Sequence, residues 1–352
     1  MITRSGEPTT VDLPFAEAEP VATEQSSWSR WRSALSIRNI SAVYVWIGLF
    51  VVFSIWVPET FLTQGTLKSI IGQYSVTTLA ALALMVALAA GAFDLSVGQI
   101  IGGSAVTIAW AMQRGMSWEV ASLLGLLVGV VSGLLSATAV RLGINSFIAT
   151  LGMSSIVAAY VDWRSGKQQV AIRDQGFRDL FLKELWGLPR SMYLTLLVAI
   201  VLWYVLTKRP FGRQIYATGG NTDAARLAGV RTYLIVFVAL LTSATLAALA
   251  GVMNAGRSGV GSPTVGPSYL IPAFAAAFLG STQLRRGEFN VWGTVISVYV
   301  LATGVKGLQL AGAQAYITDL FNGAALLLAV GVSSWERRSI RRRRTRIQVA
   351  GG

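Results

Sequence analysis

Apolar runs of roughly 20 residues recur along the chain, and their length constrains everything else. A stretch that long spans the hydrocarbon of a bilayer as a helix. Lipid offers no partner to backbone N–H and C=O groups, so each run must satisfy its own hydrogen bonds, which an α-helix does. The expected fold is therefore an all-α polytopic membrane protein. Ten spans are read at residues 42–57, 70–92, 97–112, 120–140, 147–161, 191–207, 233–253, 269–280, 291–305 and 316–334. Only 13% of residues are charged, against about 25% in soluble domains. Residues 1–41 lack an apolar period and are rich in Glu, Pro, Ser and Thr, so they read as a disordered cytoplasmic tail. The membrane-spanning body is residues 42–334, with a basic cytoplasmic tail at 335–352. The first apolar run follows about 40 polar residues, which reads as a signal anchor and not as a cleavable signal peptide.

Charge sets the orientation. Ten spans place both ends on one side, and 19 of the 29 Lys and Arg fall on that side if it is cytoplasmic. The positive-inside bias then chooses N-in and C-in. The run Arg341, Arg342, Arg343 and Arg344 could meet RNA or anionic lipid. A topology anchor on the anionic inner leaflet is the simpler reading, with no nucleic-acid partner. A long polar segment of mixed charge, 162–190, lies on the opposite side.

One cytoplasmic segment stands out, FGRQIYATGGNTDAARLAGV at 211–230 within the loop 208–232. Gly219 and Gly220 precede Asn221, a good N-cap. Asp223 puts a carboxylate in the first helical turn, and Gly229 can close the helix in the left-handed conformation. About two turns of helix are not stable alone in water. The segment reads as a docking element for another protein, or as an ordinary polar loop.

The sharpest break in the apolar pattern is Gly91-Ala92-Phe93-Asp94-Leu95-Ser96-Val97-Gly98. Asp94 or Ser96 can N-cap the third span. The segment is either a conformational joint at the cytoplasmic mouth of a pathway or a helix cap alone. Span two ends LMVALAAGAFDLSVG and span seven ends TLAALAGVMNAGRSGVG. Spans 2–5 and 7–10 could thus be inverted repeats with solute handled at their interface, or could share only Ala/Leu/Gly composition. Gly98 and Gly102, and Gly125, Gly129 and Gly133, recur at every fourth position and read as close helix packing.

Several chemistries are excluded. With no Cys and no His, there is no disulfide, thiolate chemistry or imidazole relay, and no metal or cofactor site is expected. No Gly-x-x-x-x-Gly-Lys-Ser/Thr occurs, so the chain hydrolyses no nucleotide through a P-loop. Asp319 is the carboxylate placed inside a span. That scarcity argues against an ion-coupled carrier or facilitator acting alone, which is the alternative function. Active transport must then draw its energy through a separate protein.

FDLSVG (93–98), NSFIATLG (145–152), FGRQIYATGGNTDAARLAGV (211–230) and LAALAGVMNAGR (246–257) together resemble the permease subunit of bacterial ATP-binding-cassette importers of the ribose type, over roughly residues 45–335. The resemblance implies a transport subunit and not an enzyme. It implies cytoplasmic ATP-binding subunits, a second permease subunit making a homo- or heterodimer, and an extracytoplasmic solute-binding protein for a small sugar or polyol. It implies that residues 221–230 are the coupling helix, with Ala224, Ala225, Arg226 and Leu227 as its contact face. It also implies that the segment of Asp94 and Ser96 lies near the translocation pathway. Asn145, Phe147, Asn254, Tyr269 and Phe274 are further candidates to line it. The chain departs from the family at Ala92-Phe93-Asp94, where many members have Gly-Ile-Asp. It departs again at Tyr269-Leu270-Ile271-Pro272-Ala273-Phe274-Ala275, where many have Tyr-Glu-Leu-Asp-Ala-Ile-Ala, and at 284–290, where many have a Gly-Gly-Lys-Gly-like loop. Two carboxylates are lost and Arg285 and Arg286 are gained, so ribose itself is not implied.

Overall fold

Every expected span coincides with a helix in the computed structural model, which describes the backbone of residues 41–284 and 287–350 and the side chains of 43–284 and 287–332. The helices at the spans are α1 (Ser41–Trp56), α3 (Gln64–Ala89), α4 (Val97–Gln113), α5 (Trp118–Arg141), α6 (Ser146–Ser165), α8 (Arg190–Lys208), α11 (Thr232–Ser258), α12 (Val265–Ser281), α13 (Val291–Leu310) and α14 (Ala315–Ala350). Four short helices join them: α2 (Pro58–Phe61), α7 (Gln175–Leu182), α9 (Pro210–Gly220) and α10 (Thr222–Leu227). Seven helices are long and apolar enough to cross a membrane, and two shorter apolar ones, Val43–Trp56 and Val265–Ser281, accompany them. Tail residues 1–40, Arg285 and Arg286 lie outside the described residues. The side chains of the basic tail do too, although α14 runs on through Ala350 past the expected end at Ser334. Arg is a good helix former, and no Gly or Pro interrupts the chain there.

The centre of the bundle is α3. Every residue from Ser75 to Ala90 is buried, as expected of a helix that is apolar all round. Its Ala-rich surface lets neighbours come close. The most extensive helix pairing is α11 on α5, followed by α11 on α4 and α3. Lipid removes the hydrophobic drive between helices, so close packing must hold them. The glycines supply it. Gly129 seats against the Ala244 carbonyl, Gly133 against Leu241, and Gly251 against the Ile101 carbonyl. The wide apolar faces left outside, including Leu123, Leu127, Ile148, Ile156, Leu197, Leu327 and Leu328, are the surface such a chain offers to lipid.

A Gly129→Val substitution is expected to loosen this seam. A side chain there meets the Ala244 backbone, which cannot swing aside, and overpacking of this kind costs about 1–3 kcal/mol. The measurement is the melting temperature of the purified chain in detergent, which should fall. An unchanged value would mean that α5 is not seated on α11.

Two connections dip into the bundle. After α3, residues 90–96 turn the chain into α4. After α11, a two-residue strand β2 (Val260–Gly261) pairs antiparallel with β1 (Val170–Ala171), in register Val170 with Gly261, and the chain then enters α12. The first turns of α4 and α12 cross backbone to backbone at Gly98 and Gly266, with Gly102 alongside. The stripe of Gly98 and Gly102 therefore serves packing, as expected.

The segment 162–190 is more ordered than its polarity suggests. Asp174 caps α7 by accepting from the Phe177 N–H at 2.8 Å. Phe177 and Phe181 are both buried, with Phe177 stacked on Trp118 and Phe181 lying over Gly256. The Asp-x-x-Phe-x-x-x-Phe spacing was the available signal, a cap followed by an i, i+4 apolar pair.

Candidate functional site

Three constellations stand out. The first is at the end of the bundle that carries α9 and α10. The expected single helix in a polar loop is in fact a helix pair. Pro210 opens α9 at a position where its missing N–H costs nothing, and Asn221 in an extended conformation (φ −158°) ends it. The Asn221 Oδ1 then accepts from the N–H groups of Asp223 at 3.1 Å and Ala224 at 3.0 Å and starts α10. Gly229 has φ +82°. The Gly229 N–H donates to Arg226 and the Val230 N–H to Ala225, each at 3.0 Å, so the helix is closed as expected. Of the expected contact face, Ala225 is the exception. It is 5% exposed and faces its own chain, whereas Leu227 is 90% exposed, and Ala224 and Arg226 are also exposed. At six residues, α10 reads as a presented element and not as a self-stable one.

The second constellation is the break at 90–96. Asp94 is 1% exposed. Its Oδ1 accepts from the Ser96 N–H at 3.1 Å and from the Ser96 hydroxyl. The expected side-chain cap on α4 is absent: Ser96 occupies the cap position but makes no capping bond, because its backbone is already helical (φ −81°, ψ −15°) and not extended as a capping residue requires. Asp94 thus closes a turn ahead of the helix. The α6 N-terminus holds the same turn from outside. The Phe93 N–H donates to the Ser146 hydroxyl at 3.2 Å, and the Leu95 N–H donates to the Thr150 hydroxyl at 3.1 Å. Asn145 caps α6 by accepting from the Phe147 N–H at 2.9 Å, and Phe147 is exposed. The structure therefore brings Asp94, Ser96, Asn145 and Phe147 into one neighbourhood. Among the described residues the buried carboxylate is Asp94, while Asp319, placed inside a span by the sequence, is exposed on α14.

These two constellations touch. Gly219, at the end of α9, lies directly on the backbone of Ala89 and Gly91, where α3 gives way to the break. Gly91 itself has φ +80°, a conformation that only Gly adopts without strain.

The third constellation lies toward the far end of α11. The Tyr269 hydroxyl donates to the Asn254 Oδ1 at 2.9 Å, so two expected pathway residues meet. Asn254 is 5% exposed, and its Nδ2 has no partner among the described residues. One turn on, Arg257 donates from Nη1 to the Ser191 hydroxyl at 2.7 Å. Its two Nη atoms lie against Gly72, where an added Cβ would stand 3.0 and 3.2 Å from them. Tyr74, partly buried, lies two residues along α3 from Gly72. Phe274, also expected on the pathway, is buried and stacks with Phe278. Sequence reasoning missed Arg257 and Tyr74. Arg257 closed a recognised stretch, but one charge at a helix end reads as an interfacial residue. Among the described residues, no group of three His, Cys, Asp or Glu could hold a metal ion.

A family profile described as "Branched-chain amino acid transport system / permease component" matches residues 66–330. The chain is 29% identical to the D-allose transport system permease protein of Escherichia coli over 314 residues, covering 89% of this chain and 96% of that one. It is 30% identical to the ribose import permease protein of Bacillus subtilis over 290 residues, 81% and 90% of the two chains. It is 32% identical to the L-arabinose transport system permease protein of Escherichia coli over 289 residues, 80% and 86%. No solved structure matches.

Proposed function

Because this chain belongs to the family of branched-chain amino acid transport system permease components, we propose that it is the membrane-spanning subunit of an ATP-driven importer for a small sugar or related polar solute. Its relatives carry the names of allose, ribose and arabinose permeases, which supports a monosaccharide or polyol over an amino acid. It performs no covalent chemistry. ATP hydrolysis belongs to separate cytoplasmic subunits, and solute arrives from an extracytoplasmic binding protein. Two permease subunits, identical or related, enclose the pathway. Ten crossings, with both termini cytoplasmic, put α10 on the ATPase side and α7 outside, in agreement with the distribution of Lys and Arg.

The observation that carries this reading is α10. A six-residue helix with tailored caps and a 90% exposed Leu227 suits the groove of a partner better than water. Movement delivered there reaches the break through the Gly219–Gly91 contact. Asp94, Ser96, Asn145 and Phe147 then surround the joint that moves, and Asn254 and Tyr269 face the solute. The paired breaks meeting at Gly98 and Gly266 favour the inverted-repeat reading of spans 2–5 and 7–10, in which discontinuous helices line the solute path.

The test is affinity purification of the tagged chain from its native membranes, followed by mass spectrometry. A P-loop ATPase should co-purify, and should be lost when residues 221–229 are replaced by a flexible linker of the same length. A chain that comes out alone and moves solute in liposomes under an ion gradient would establish the carrier instead.

A further inference from the structure

The cluster at the far end of α11 contains a cation without a counter-charge. Arg257 is partly buried between Gly72 of α3 and Ser191 at the start of α8, three residues along α11 from Asn254, which accepts from Tyr269 of α12. Among the described residues the ion pairs are Lys68–Glu184, Lys167–Asp162 and Lys183–Asp179, and none includes Arg257. The first turn of α12, which faces it, carries no acid. One neutral hydroxyl, that of Ser191, is its hydrogen-bond acceptor.

A guanidinium has five N–H donors in a planar fork that matches a carboxylate. Held partly out of water with its charge unanswered, it is costly to the fold. An ionisable residue kept inside a membrane bundle at such a cost marks function by default. Its neighbours point the same way. The Asn254 Nδ2 is a buried donor with nothing to donate to, and an orphaned group of this kind calls for an explanation. The Tyr269 phenol gives its proton to the Asn254 Oδ1, which leaves its oxygen to accept from a hydroxyl. Gly72 keeps the space that the guanidinium occupies.

We infer that this cluster is a solute subsite for the carboxylate of a sugar acid, with Arg257 receiving the carboxylate and Asn254 and Tyr269 receiving adjacent hydroxyls. The inference rests on the importer reading and narrows its substrate class, from neutral monosaccharides to polyhydroxylated carboxylates of the aldonate type. The sequence holds no other Arg or Lys between residues 232 and 284, so the segment containing α11 and α12 has a single cation.

The probes are D-gluconate and D-glucitol, which share a six-carbon polyhydroxyl chain and differ in one carboxylate. The melting temperature of the purified full-length chain is followed by intrinsic fluorescence at constant ionic strength. Gluconate at saturating concentration should raise it by roughly 2 °C or more, glucitol and chloride should not, and Arg257→Gln should abolish the gluconate shift. Arg257→Lys should keep part of it, since it retains the charge without the fork. Equal responses to gluconate, glucitol and chloride, or an Arg257→Gln chain that responds like the parent, would overturn the assignment. So would a chain blind to gluconate whose Arg257→Gln variant loses affinity for the binding protein, because Arg257 would then be a docking contact. ATP-dependence of uptake by the complete complex is read separately. Loss of that dependence with the gluconate shift intact would count against the importer reading alone.

Discussion

Leu227→Asp is expected to abolish ATP-dependent uptake while leaving the amount of chain in the membrane unchanged. The side chain is 90% exposed, and surface substitutions of this kind alter folding stability by no more than about 0.5 kcal/mol. An apolar residue that fills a pocket on a partner is a different matter. Removing such an anchor costs about 2 kcal/mol or more, and a buried aspartate adds an uncompensated charge. A loss of about 3 kcal/mol weakens the ATPase complex by more than a hundredfold. Arg226→Glu, which reverses the neighbouring exposed charge, should act in the same direction through electrostatic mismatch. Ala225→Ser serves as the contrast, because Ala225 faces its own chain and adds nothing to the partner surface. The measurement is uptake together with co-purification of the ATPase. Undiminished uptake by Leu227→Asp would remove α10 from the coupling path.

Gly219→Ala should produce the opposite dissociation: the ATPase still binds, but transport falls. A Cβ on residue 219 runs into the Ala89 carbonyl and the Gly91 backbone. Backbone atoms cannot rotate away as a side chain would, so α9 must shift by the width of the overlap. Overpacking costs about 1–3 kcal/mol. If that strain biases one of two transport conformations, about 1.4 kcal/mol changes their ratio tenfold. The expected result is a normal yield of permease with bound ATPase, continued ATP hydrolysis, and uptake reduced about tenfold or more. Gly220→Ala is the internal control, since a Cβ there meets nothing within 4 Å, and it should transport normally. A Gly219→Ala chain that also transports normally would mean that the break at 90–96 does not receive motion through this contact.

The regular parts of the fold were legible in the sequence. Helix ends were less so. The sequence placed the start of the eighth span at Tyr269, whereas α12 begins at Val265 and carries Pro272 within it. The polar first turn hid the helix start, and the bundle around it tolerates the proline. Helix α7, and α9 just ahead of the expected helix at 221–229, were missed because short amphipathic helices amid charge carry little hydropathy signal. Their apolar pairs, Phe177 with Phe181 and Gly212 with Ile215, become visible only against what they cover.

What the sequence determined by itself was anything local or set by the solvent. Apolar length dictates helices because lipid leaves the backbone no other partner. The caps of α10 follow from Asn221 and Gly229, because caps are bonds within four residues. The missing His, Cys and P-loop exclude chemistries whatever the fold. Only the tertiary structure decided which distant residues share a space. It placed Gly219 on Gly91, Gly98 on Gly266, and Tyr269 on Asn254. It buried Asp94 and exposed Asp319. It also set Arg257 against Gly72 and Ser191, in no ion pair among the described residues. These contacts join residues far apart in the chain, and each depends on the packing of several helices at once, so no periodicity in the sequence encodes it.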